Sequence, residues 1–153
     1  MKKTIIFSVL FTFNCLFSLA QGFNVEKLKQ GVWYKTTGHA DEKTCLSFSD
    51  SIKHETYSIF REGRWQDVTI EDPYYLSNTI PQTFDFSKVG KGDSGKYLVK
   101  WNDTMKSFYA LEIVDLTDNY LKIKCSNNDD VRIFRNEQKL EREFDKVTTV
   151  IKY

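Results

Sequence analysis

Gly90-Lys91-Gly92-Asp93-Ser94-Gly95 reproduces the G-x-G-x-x-G spacing, which in dinucleotide-binding units lays a pyrophosphate on the N-terminus of the helix that follows. That chemistry needs the helix. Here Lys96-Tyr97-Leu98-Val99-Lys100-Trp101 follows, with Tyr97, Val99 and Trp101 alternating as on one face of a strand. The reading is a glycine-rich hairpin loop, and no cofactor is expected. His39 and His54 are the only histidines, and neither has a second His or Cys two or four residues away, so no metal is expected. Asp67, Glu71 and Asp72 form an acidic cluster beside a turn, read as a solvated surface rather than a Ca²⁺ site.

The same loop carries Gly-Asp-Ser-Gly, letters also found around trypsin-like nucleophiles. That chemistry takes two barrels and a complete triad, for which a chain of this length has no room. A Cys45 nucleophile lacks a base near it in sequence, and no Ser or carboxylate pair has the neighbours that catalysis requires. The expectation is a protein that is not an enzyme.

Those side chains need a frame, and the first 20 residues say where the frame operates. Lys2 and Lys3 precede an apolar run from Thr4 to Leu19, ending in Ser18-Leu19-Ala20, the small residues that signal peptidase reads. Residues 1–20 are expected to be a cleaved signal peptide, with export to the periplasm or beyond. A lipoprotein anchored through Cys15 is the weaker alternative, because Asn14 stands where a small residue is wanted. Without Lys2 and Lys3, the 22 basic residues fall to 20, against 21 acidic ones. A near-neutral chain has no bulk attraction for nucleic acid, and the mature part contains no candidate transmembrane segment. Residues 21–153 suit a single domain.

The fold class read from that part is all-β. Period-two alternation recurs in Gly31–Gly38, Thr44–Asp50, Glu55–Arg61, Trp65–Ile70, Lys96–Asn102, Ser107–Leu116, Tyr120–Ser126 and Val131–Arg135. Glu62-Gly63, Asn102-Asp103 and Thr117-Asp118-Asn119 are turn chemistry. Asn24 is placed to cap a short helical turn through Lys29, and Asn136 to cap a C-terminal α-helix through about Val147, packed outside the sheet. The tail Thr148–Ile151 is β-prone. The stretch Glu71–Gly95 reads as irregular, with Gln82–Lys88 as a possible short strand. Its aromatics either lid a cavity or pin the loop to the barrel. Cys45 lies on the face opposite Leu46 and Phe48, whereas Cys125 shares a face with Leu121 and Ile123, which leaves a disulfide between them open.

Gly31-Val32-Trp33 opening the first strand, Leu116-Thr117-Asp118-Asn119-Tyr120 between the sixth and seventh, and Arg135 ending the eighth resemble, in that order, the marks of the lipocalin superfamily. The likeness is to its small secreted bacterial members. It implies an eight-stranded antiparallel up-and-down β-barrel closed by Gly31, Trp33 and Arg135, with Arg135 covering Trp33. The Thr-Asp-Tyr match is interrupted by Asn119, and the long connection falls between the fourth and fifth strands rather than after the first. A two-sheet sandwich is the competing architecture.

Such a barrel holds one small ligand or is filled by its own side chains. The expected function is binding of a small, partly hydrophobic molecule. The candidate pocket consists of Tyr57, Ile59, Tyr97, Val99, Trp101, Tyr109 and Leu111. The alternative is a protein-interaction module with a filled barrel, using residues 71–95 against a protein partner.

Overall fold

A computed structural model describes residues 22–36, 42–91, 94–125 and 129–136. The signal peptide, His39, the C-terminal helix and the tail strand expected from sequence lie outside the described residues.

The short helix α1, Val25–Lys29, forms where Asn24 stands ready to cap it: its Oδ1 accepts a hydrogen bond from the Glu26 N–H at 2.7 Å. Val25 and Leu28 are the buried positions, three apart and so on one face. Eight strands follow: β1 Trp33–Lys35, β2 Glu42–Phe48, β3 Ile52–Arg61, β4 Arg64–Ser77, β5 Tyr97–Asn102, β6 Ser107–Leu116, β7 Tyr120–Cys125 and β8 Val131–Asn136. Each pairs antiparallel with the next, and β8 returns to pair with β1, Asn136 opposite Trp33. The result is a closed barrel, which leaves the sandwich alternative without support. A two-residue pairing of Phe23–Asn24 with Ser94–Gly95 stands apart from it.

The turns work as their residues dictate. Glu62 and Gly63, at φ 53° and 78°, make the two-residue connection of β3 to β4. Thr117 Oγ1 accepts from the N–H groups of Asn119 and Tyr120, and Asn102 Oδ1 from that of Met105.

One element departs from expectation. The irregular stretch was expected from Glu71, yet β4 continues through Ser77, past Pro73. The Tyr74 N–H bonds Ser51 O on the β3 side, so by alternation the ring nitrogen of Pro73 points away from β3. On that side β4 meets β5 only over Tyr74–Ser77, and a proline removes no ladder bond there. The segment 64–73 therefore has an open edge among the described residues. Gln82–Lys88 is not a strand; it contains one 3₁₀ turn, Phe86–Lys88, whose first N–H groups are met by Asp85.

The core fills one end of the barrel. Leu28, Trp33, Leu46, Leu98, Ile113, Leu121 and Phe134 are buried there together. The indole N–H of Trp33 donates to Leu28 O at 2.8 Å, tying the helix to the first strand. A second apolar cluster lies on the outer wall, where Tyr75, Val99 and Ala110 are covered by Phe84, Val89, Tyr97 and Phe108. No helix among the described residues is long and apolar enough to cross a membrane.

Candidate functional site

Along β3 the alternation I-K-H-E-T-Y-S-I puts Lys53, Glu55, Tyr57 and Ile59 on one face, and that face is the interior. Asp72 of β4 and Lys100 of β5 join them from neighbouring strands. Lys53 Nζ lies 2.5 Å from Glu55 Oε2 and 3.0 Å from Asp72 Oδ2; Lys100 Nζ lies 2.9 Å from the same Asp72 oxygen and 3.7 Å from Glu55 Oε2. Two ammonium groups thus share two carboxylates in a cross-linked set of formal charge zero. Lys53 and Asp72 are each 1% exposed. Ions taken so far out of water cost several kcal/mol apiece, which only close cross-pairing offsets.

Burial pushes the Lys53 ammonium down, against the pull of Glu55. For Lys100 burial acts the same way, but the hydrogen bond and charge of Asp72, with Glu55 beyond, outweigh it and leave the amine above its usual value. Burial pushes the Glu55 carboxyl up; Lys53, the Tyr57 hydroxyl and Lys100 together overcome this and hold it below the carboxylate range. Tyr57 donates that hydroxyl to Glu55 Oε1 at 2.5 Å, and burial together with the bond raises its own titration well beyond ordinary phenols. The second oxygen of Asp72, Oδ1, is buried with no hydrogen-bond partner in the protein.

Beside this set lies a hollow of about 210 Å³. One part of its wall is apolar: Leu46, Leu111, Ile123 and Phe134. The remainder is Lys53, Glu55, Lys100, Asn102, Tyr109, Cys125 and Arg132. This is smaller than the roughly 300–1,000 Å³ of pockets for drug-sized ligands, and suits a small molecule or one end of a larger one. Arg132 is an additional cation on this wall. Its Nε lies 3.6 Å from Asp130 Oδ2, and its side chain is 42% exposed.

Of the residues expected to line a pocket, Tyr109 and Leu111 do so, and Tyr57 and Ile59 lie on the inner face of β3. Tyr97, Val99 and Trp101 are corrected: they face outward. The register pairs Leu98 with Leu111 and Lys100 with Tyr109, so the inward residues of β5 are Leu98, Lys100 and Asn102. Trp101 instead meets Phe84 and Phe86 on the outer wall, ring centroids 5.7 and 5.4 Å away. The aromatics of the long connection therefore pin it to the outside of the barrel.

Arg135 is corrected too. It lies on the outer face, its guanidinium 6.0 Å from the Tyr120 ring, while Trp33 faces inward. Asn136 meets the first-strand end instead: a Cβ on Gly31 would fall 2.3 Å from its Nδ2. Cys45 and Cys125 are not joined in a disulfide. They stand on opposite faces of the wall with β8 and β1 between their strands, at about 4.8 Å per step, and a bridge needs Cα atoms within roughly 7 Å.

The acidic cluster disperses, since Asp67 and Glu71 are exposed while Asp72 is buried inside. Glu71 Oε1 lies 3.4 Å from His54 Nδ1. Among the described residues, no group of three or more His, Cys, Asp or Glu is placed to hold a metal ion. Sequence reasoning missed Lys53, Glu55, Asp72, Lys100, Asn102 and Arg132. For β3 the signal was present: once Tyr57 and Ile59 are placed inside, period two places Glu55 and Lys53 with them.

No family model, curated protein or solved structure matches this chain.

Proposed function

We propose that this protein is a lipocalin-like binding protein, exported on the strength of residues 1–20, that takes a small, partly apolar molecule into its barrel without turning it over. The observation that carries this reading is the hollow of about 210 Å³, apolar along Leu46, Leu111, Ile123 and Phe134 and polar around Lys100, Asn102 and Arg132. A barrel that served only as a scaffold has no need to keep charged groups and open space together in its interior, where both cost stability. A ligand that fills the space and meets the polar atoms offsets that cost.

Native and denaturing mass spectrometry of the protein recovered from its host's envelope or secreted fraction tests this. The expected result is a native mass above the denatured one by a discrete, small increment. Equal masses, together with failure of any small molecule to slow chemical modification of Cys125 in the cavity wall, would dismiss it.

A second reading has its own observation. Phe86 is 59% exposed on the outer wall beside Trp101, an aromatic patch of the kind that protein partners engage. If that patch docks a partner, Phe86→Ser abolishes capture of the partner while leaving the melting temperature within a few degrees; unchanged capture removes the reading.

A further inference from the structure

Four charges inside the barrel are matched. Lys53, Lys100, Glu55 and Asp72 pair among themselves within 2.5–3.7 Å and sum to zero. Arg132 is a further cation on the cavity wall, on the inner face of β8 two residues before the buried Phe134. Its field reaches the interior, where it acts on the Tyr57 hydroxyl. Among the described residues its ion contact is with Asp130, at 3.6 Å through Nε, on a carboxylate 60% exposed to water. A pairing so long and so wet is worth little. That contact runs through Nε at a distance beyond hydrogen bonding, short of the two parallel hydrogen bonds with which a guanidinium grips a carboxylate.

On the same wall, Ile123 lies directly across from Arg132 in the β7–β8 ladder, and Leu111 lies across from Cys125 in the β6–β7 ladder. Leu46 and Phe134 continue the apolar surface. A cation at one margin and hydrocarbon beyond it describe a ligand of matching polarity. Its size is bounded by the hollow.

We propose that the cavity takes a small amphipathic monocarboxylate, with its carboxylate on the Arg132 guanidinium and its hydrocarbon chain along Ile123, Leu111 and Phe134. A cationic or uncharged molecule of the same shape is disfavoured, because it repels the guanidinium or leaves it with only its long, wet contact to Asp130. This inference rests on the binding reading above and narrows it to one chemical class.

The test compares octanoate, 1-octanol and octylamine, three chains of one length that differ in head group, by calorimetric titration of the intact protein. Alkylation of Cys125, followed by mass mapping, reports occupancy of the cavity itself. Octanoate is expected to bind saturably, to slow Cys125 alkylation, and to bind at least about tenfold more tightly than 1-octanol, with octylamine weakest. Arg132→Gln should remove most of octanoate's advantage without altering octanol binding, and Arg132→Lys should keep part of it. Equal binding of octanoate and octanol, or octanoate binding unchanged in Arg132→Gln, overturns the carboxylate assignment and leaves the cavity reading standing. Tighter binding of octylamine overturns the sign. Failure of all three to saturate or to shield Cys125 overturns both the class and the cavity reading.

Discussion

Gly31 and the Asn136 side chain approach so closely that no residue larger than glycine fits at 31 without rearrangement: a β-carbon on Gly31 would lie 2.3 Å from Asn136 Nδ2 and 2.5 Å from Oδ1. Asn136 is 1% exposed and opposite Trp33 in the ladder that closes the barrel. Its Nδ2 donates to Asp118 O at 3.3 Å, and its N–H to Asn119 O at 2.9 Å. The glycine is there for space, not for a left-handed backbone.

Gly31→Ala should therefore destabilise by about 1–3 kcal/mol, the usual cost of forcing atoms into a filled site. In urea denaturation, Asn136→Ala should recover part of that loss in the double variant, giving a coupling of at least about 0.5 kcal/mol. Additive losses would mean that the contact is not what Gly31 is for.

The interior ion set predicts an asymmetry. Lys53→Met leaves Glu55 and Asp72 buried with only Lys100 between them and should cost about 3–5 kcal/mol. Replacing Lys53, Glu55, Asp72 and Lys100 together by apolar residues of similar volume should cost far less than the summed single variants. Melting curves of the single and quadruple variants decide it. A quadruple variant at least as impaired as the sum would show that the charges do not act as a set.

Glu55 predicts a pH dependence. Its folded carboxyl titrates below the ordinary value of 4.5, so the folded state favours the ionised form. Its stabilisation is complete above about pH 4.5 and is lost as pH falls through the lowered folded value. Glu55→Gln should lower stability at neutral pH, and the difference from wild type should shrink as the pH is taken below about 4. A difference that stays constant with pH would remove the ionised carboxylate from the account.

At the β3–β4 turn, Glu62 adopts φ 53° and is exposed. Glu62→Asn, better suited to that backbone, should stabilise the protein by about 0.5–1 kcal/mol, measured as a raised melting temperature with the denaturant slope unchanged. No gain would mean that the side chain relieves the strain in another way.

The strand pattern carried most of the barrel. Thr117-Asp118-Asn119 and Glu62-Gly63 announce their turns, and seven of the eight strands begin within two residues of where the alternation starts. What misled was β5. In Tyr97-Leu98-Val99-Lys100-Trp101 the wholly apolar face, Tyr97, Val99 and Trp101, lies outward, against Phe84, Phe86 and Val89, and the face that carries Lys100 lines the interior. The larger side chains belong to the outer one. Period two fixes which residues share a face but not which face is inside. Pro73 hid the continuation of β4, since a proline argues against a strand unless the open edge is known. Asp72 was hidden with it. Arg132 carries no sequence signal of its own, because a lone arginine in a strand reads as solvent-facing.

That open edge sets the order in which the barrel comes apart. From Arg64 to Pro73, β4 is held by β3 alone, and nearly all of its side chains are exposed. Amide protons at the tip of this hairpin should exchange with solvent fastest among the strands, by openings that need no global unfolding. Such fraying should stop at Pro73, where β4 gains its second neighbour and enters the apolar core with Tyr74. The hairpin tip should thus unzip and re-zip on its own while the closed wall below stays intact.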